Sequence, residues 1–92
     1  MRDILEPYVG QQIGTNAQKP YHLDPFTLAA VTDSYFTVTQ EEDATLVHIP
    51  YKNIVRILQN ETEKIHVGSL FKKKQDFKLI VKIGHVVTQV PA

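Results

Sequence analysis

Residues 26–58 read FTLAAVTDSYFTVTQEEDATLVHIPYKNIVRIL, and this stretch decides the fold. It holds four short runs rich in β-branched and aromatic residues, alternating with period two and separated by polar breaks of a few residues. Strands this close together can only be antiparallel neighbours, because a parallel return needs a crossover of about a dozen residues or more. The stretch therefore predicts a meander, and a meander this short must curl into a barrel to bury its apolar face. Its turn residues, Asp33, Ser34 and Tyr35 and then Tyr51, Lys52 and Asn53, are the candidate functional positions.

Within the meander, Phe26, Leu28 and Ala30 point to one face, with Thr27, Ala29 and Val31 on the other. In the next run Phe36 and Val38 point inward and Tyr35, Thr37 and Thr39 outward. Glu41, Glu42 and Asp43 read as a solvated hairpin tip. Residues 45–51 form a fourth strand that ends, or lies on an edge, at Pro50, which cannot donate to a ladder. Residues 53–59 carry Ile54, Val55, Ile57 and Leu58 on both faces, so the outer face must meet a helix, the tail or another subunit.

Working outward, residues 3–9 (DILEPYV) predict one or two helical turns capped by Asp3, with Ile4, Leu5 and Tyr8 on one face. Pro7 limits this helix and Gly10 stops it, and its apolar face lids one open end of the barrel. Residues 11–17 predict a weak first strand in which Gly14 marks a bulge or bend. Residues 18–25, punctuated by Pro20 and Pro25, read as a loop with room for a few extended residues around Tyr21 to Leu23. Beyond the polar break NETEK at 60–64, residues 65–71 and 77–87 bracket a basic run, Lys72, Lys73 and Lys74, and predict a β-hairpin. Residues 88–92 are expected to fray. The expected architecture is mainly β. A short N-terminal helix and a five-stranded, strongly bent antiparallel barrel occupy residues 1–60. An extra C-terminal β-hairpin in residues 61–92 packs on the barrel or on a neighbouring subunit.

The chain of 92 residues is one domain with 42% hydrophobic content, enough for a small core. With no cysteine there is neither a disulfide nor a cysteine zinc site, which leaves oligomerisation as the route to extra stability. The lack of cysteine fits a cytoplasmic location. The first ten residues, MRDILEPYVG, hold no long apolar run, so neither a signal peptide nor a membrane span is expected. Net charge is zero, which argues against indiscriminate nucleic-acid binding. It divides unevenly, however. Residues 1–60 carry four basic against seven acidic side chains, a net of −3, and residues 61–92 carry six against three, a net of +3.

The short helix, five strands and tight fourth turn resemble the Sm-like family, which includes the bacterial RNA chaperone Hfq. TDSYFTV at 32–38 resembles the family's first motif. On that match Asp33 braces the loop, Tyr35 takes the base-stacking position and Thr37 stands where the family has asparagine. IPYKNIVRI at 49–57 resembles the second motif, with Tyr51 and Lys52 in place of the Tyr-Lys pair of Hfq. Asn53 follows where Hfq has histidine, and the Arg-Gly of eukaryotic and archaeal members is absent. The long β-rich tail is most similar to phage-borne or metagenomic members. The resemblance implies a homo-oligomeric ring closed by pairing the fourth strand of one subunit with the fifth of the next. It also implies single-stranded RNA as the partner, held by Tyr35, Thr37, Lys52, Asn53 and Asp33, as in an RNA chaperone or scaffold.

Strands 45–51 and 53–59 are apolar on both faces and carry only Arg56 as a protecting charge, so a monomer leaves them open to aggregation. In a ring, Lys52 repeats about the axis, and a bound polyanion relieves the repulsion between the copies. The alternative is a protein-interaction or structural ring without RNA, which the zero net charge and the missing asparagine favour. The basic run at 72–74 reads as a second phosphate surface or simply as a solvated hairpin tip. His22, His48, His66 and His85 share no metal-ligand spacing. No Gly-rich phosphate loop, cysteine nucleophile or serine elbow is present, so no enzyme, cofactor or metal is expected.

Overall fold

A computed structural model describes residues 1–19, 21–40, 43–69 and 72–84. Helix α1 (Arg2–Leu5) runs into a 3₁₀ turn (Glu6–Tyr8) and is followed by strands β1 (Gln12–Lys19), β2 (His22–Val31), β3 (Tyr35–Gln40) and β4 (Asp43–Pro50). A second 3₁₀ turn (Tyr51–Asn53) leads to β5 (Ile54–Gln59), then β6 (Ile65–Ser69), β7 (Lys72–Phe77) and β8 (Leu79–Ile83). The mainly β architecture with a short N-terminal helix is as the patterning predicts. Glu41, Glu42, Phe71 and everything beyond Gly84, including His85 and the expected fraying end, lie outside the described residues.

The helix stops early because Pro7 has no N–H to continue it, and Pro7 instead opens the 3₁₀ turn. Asp3 sits within the first turn and caps nothing, Met1 being the capping position. Leu5 and Tyr8 are buried, but Ile4, one residue round the helix from Leu5, is exposed. Gly10 then takes φ +87°, a conformation that glycine alone adopts at no steric cost, and turns the chain into β1.

The main sheet differs from the expected five-stranded antiparallel barrel. It is a bent, mixed sheet of six strands in the order β4-β3-β2-β1-β8-β5. β8 lies between β1 and β5, parallel to the first through Gly14↔Ile80 and Thr15↔Val81, and antiparallel to the second from Ile54↔Ile83 to Gln59↔Leu79. The tail also folds differently from the predicted hairpin. The basic run is not its turn but strand β7, which pairs with β6. Backbone pairing needs no apolar side chain, so a polar run can form a strand. The apolar stretch after Phe77 alternates, sending Leu79, Val81 and Ile83 into the main core with Leu5, Ile13, Leu28, Phe36 and Val38.

Residues 22–25, expected in a loop with a few extended residues around Tyr21 to Leu23, are the start of β2, and Pro25 is tolerated there because pairing with β3 begins only at Thr27↔Thr39. The asparagine side chain of residue 16 extends the short β1–β8 ladder. Its amide nitrogen donates to the Ile83 carbonyl at 2.9 Å and its oxygen accepts from the Ile83 N–H at 2.8 Å. Gly14 is a packing site, with the Phe77 ring directly over it. The register shift in β1 falls later, between Thr15 and Lys19.

At the end of β5, the Tyr8 hydroxyl donates to the Glu61 carboxylate, and Gln59 donates to both, tying the helical segment to the strand. The polar break is a turn built by the Asn60 side chain, which accepts from the Thr62 and Glu63 N–H groups.

Neighbouring substitutions in β1 act in opposite directions. A Cβ at residue 14 meets three Phe77 ring atoms at 2.8–2.9 Å, so Gly14→Ala is expected to cost about 1–3 kcal/mol. The Thr15 hydroxyl is buried without a hydrogen-bond partner, so Thr15→Val is expected to gain about 1 kcal/mol. Urea unfolding measures both, and a stabilised Gly14→Ala or a destabilised Thr15→Val contradicts this packing. A pH effect follows from the Tyr8 contact. Its hydrogen bond, helped by Gln59, holds the Glu61 carboxyl below its ordinary value of 4.5. A carboxylate depressed by folding stabilises above its unfolded value and loses that contribution as pH falls through the folded one. The stability difference between wild type and Glu61→Gln is therefore expected to shrink below pH 4.5, and thermal unfolding across an acid series checks it.

Candidate nucleic-acid interface

The two motif-like turns are far apart in sequence, and the fold brings them together. The first, residues 32–35, is a tight hairpin turn between β2 and β3. Thr32 closes it by backbone and side chain alike, its hydroxyl accepting from the Ser34 and Tyr35 N–H groups at 3.2 and 3.0 Å. The second, Tyr51–Asn53, joins β4 to β5. The Tyr51 N–H donates to the Ser34 carbonyl at 3.1 Å and its hydroxyl to the Thr32 carbonyl, so one tyrosine fastens the two turns. Its ring stacks on Phe36 at 6.2 Å and 15°, which anchors the fastening in the core. Burial pushes the Tyr51 hydroxyl up in pKa, which keeps it protonated as a donor.

Asp33 is exposed and pairs with Arg2 at 2.7 Å, while Thr32 braces the loop. Arg2 also faces Glu6 at 3.7 Å, so its charge is locally cancelled and contributes little to the surface potential. Tyr35 is 37% exposed, enough to offer part of its ring to a ligand. Lys52 is exposed on the second turn, and Asn53 is half-buried with its carbonyl accepting from Gly84 at 2.8 Å.

Thr37 is placed differently from its neighbours. It points away from the Phe36 and Val38 side, yet is only 4% exposed. Its hydroxyl is bonded to His48 Nδ1 at 2.8 Å, and His48 packs edge-on against Tyr35 at 5.4 Å and 84°. The five candidate residues therefore fall into two kinds. Tyr35 and Lys52 are open to solvent at adjoining turns, whereas Asp33, Thr37 and Asn53 are engaged within the protein.

Sequence reasoning missed Arg2, Tyr51 as the fastening, and His48. The cross-strand pair Thr37↔His48 was accessible once the β3–β4 register was known, because directly opposed residues share a face. Nothing in the sequence linked Arg2 to Asp33. Among the described residues no cluster of His, Cys, Asp or Glu could hold a metal ion, and no helix is long and apolar enough to cross a membrane. No protein family, curated protein or solved structure matches the chain.

Tyr51 gives a direct test of this arrangement. Tyr51→Phe keeps the stack on Phe36 and removes only the hydroxyl bond, with an expected loss of about 0.5–1.5 kcal/mol. Tyr51→Ala removes the ring as well and is expected to cost about 3–5 kcal/mol. Equal losses for the two variants in urea unfolding contradict a fastening that uses both ends of the side chain.

Proposed function

We propose that this chain is an Sm-like protein that assembles into a homo-oligomeric ring and binds single-stranded RNA. The observation that carries the reading is the adjoining pair of turns fastened by Tyr51, one carrying exposed Tyr35 and the other exposed Lys52. Stacking on an aromatic ring beside a lysine is the usual means of holding a single strand without strict sequence readout.

Support for assembly comes from the sheet edges. β4 and β5 are the two outer strands of the sheet, and only the 3₁₀ turn separates them in sequence. They carry exposed Leu46 (55%) and Val55 (69%). Apolar edges that no other described strand covers invite pairing with another copy, and pairing β4 with the β5 of a neighbour repeats naturally about an axis. Each subunit then presents Tyr35 and Lys52 at an equivalent place, which multiplies weak contacts into useful affinity.

A ring that binds protein and no RNA is the second reading. It is favoured by the hydroxyl of Thr37 being occupied by His48 and by the neutralisation of Arg2 at Asp33.

Light scattering is expected to give a mass several times that of the chain, and Val55→Lys with Leu46→Lys is expected to lower it towards a monomer. Fluorescence anisotropy with short A-rich and U-rich RNAs, over a salt series, tests the ligand. Tyr35→Ala is expected to weaken binding by about 1–3 kcal/mol and Lys52→Ala to flatten the salt dependence. Binding unchanged in both variants removes the site assignment, and no binding at low salt leaves only the second reading.

A further inference from the structure

We propose that His48 is an additional RNA-contacting residue on this surface, positioned by Thr37 and binding phosphate in its protonated form. The inference rests on the RNA-binding reading above and identifies how that site is regulated. Its starting point is the occupied hydroxyl of Thr37. A buried side chain whose oxygen already bonds to His48 Nδ1 at 2.8 Å acts on a ligand only through the imidazole. Thr37 is thus a positioning residue, and the outward group is His48, which is exposed on the edge strand β4.

The geometry leaves one nitrogen for a ligand. With Nδ1 engaged, Nε2 is the remaining hydrogen-bonding atom of the ring. The edge-on contact with Tyr35 at 5.4 Å and 84° limits ring rotation and sets the imidazole beside the stacking platform. Sites for single strands combine these parts, an aromatic face for the base and a cation for the adjacent backbone.

The threonine bond also makes the site responsive to pH without rearrangement. A hydroxyl can accept from a protonated Nδ1 or donate to a bare one, so His48 stays in place in both charge states. Among the described residues, the groups that touch it carry no charge. From β3 it is faced by the Tyr35 ring and the Thr37 hydroxyl, and its neighbours on the same face of β4 are Leu46 and Pro50. Lys52 is the cation on the adjoining turn, and among the described residues no carboxylate forms an ion pair with His48. Imidazole changes charge between about pH 5 and 8, so phosphate binding and protonation there favour each other reciprocally.

The test measures RNA anisotropy from about pH 5.5 to 8.0 at constant ionic strength for wild type, His48→Gln and Thr37→Val, with the His48 imidazole followed by NMR with and without RNA. Wild-type affinity is expected to rise about tenfold towards acid pH, with the His48 ring resonances shifting on binding RNA. His48→Gln is expected to bind at neutral pH but to lose most of the rise, leaving what the other histidines contribute. Thr37→Val, with folding verified by circular dichroism, is expected to lose part of it. A His48→Gln variant with the wild-type pH dependence, or His48 ring resonances unmoved by RNA, overturns the inference and leaves the RNA reading standing. Absence of RNA binding by the wild type at every pH overturns both.

Discussion

Among the described residues, β5 reaches the rest of the sheet only through β8, which pairs antiparallel with β5 on one side and parallel with β1 on the other. The β1 side is short, two residue pairs lengthened by the Asn16 side chain acting as a further rung. That side chain satisfies both polar groups of the Ile83 backbone, which would otherwise be buried at the end of a ladder. β8 also brings Leu79, Val81 and Ile83 into the same cluster as Phe36 and Leu28. The tail is therefore part of the sheet and not an accessory to it. Removing residues 60–92 would take out a strand from the interior of the sheet and expose its core.

This pairing decides where the free edges lie. With β8 holding β5 on one side, the opposite side of β5 and the outer side of β4 are the ends of the sheet. The Tyr51–Asn53 turn links those two edges, and Tyr51 fastens that link to the hairpin turn at 32–35. One constraint thus exposes the strands best suited to pairing and joins the turns that carry Tyr35 and Lys52. The electrostatics there are modest. Arg2 is matched by Asp33 and Glu6, so the open cation of the turns is Lys52, with His48 able to add charge only when protonated. Such a surface favours stacking and short-range contact over long-range steering.

Much of the strand content was legible in the sequence. The alternation in residues 26–59 reported β2 to β5 because one face of each strand is buried in a common core, which imposes period two. The exposure of Tyr35 and Lys52 was legible for the same reason, since turn and outward positions escape that burial. Thr37 shows the limit. Alternation put it outward, but outward on an inner strand of the sheet is not the same as accessible, and His48 from the next strand covers it. Gly14 is similar, a glycine that reads as a bend until Phe77 is seen lying over it.

Sequence by itself determined the strands within residues 26–59, the core-facing side of Phe26, Leu28, Phe36 and Val38, and the turns at 32–35 and 51–53. These depend on contacts within a few residues and on the simple exclusion of apolar side chains from water. Tertiary structure alone decided that β8 enters between β1 and β5, that a lysine-rich run forms a strand, and that Arg2 meets Asp33. The first two outcomes rest on backbone hydrogen bonds, which are nearly the same for every residue and so leave no mark in composition or period. The third rests on a side-chain ion pair between segments 31 residues apart. Which distant strands share the backbone bonds is settled by how the whole core closes.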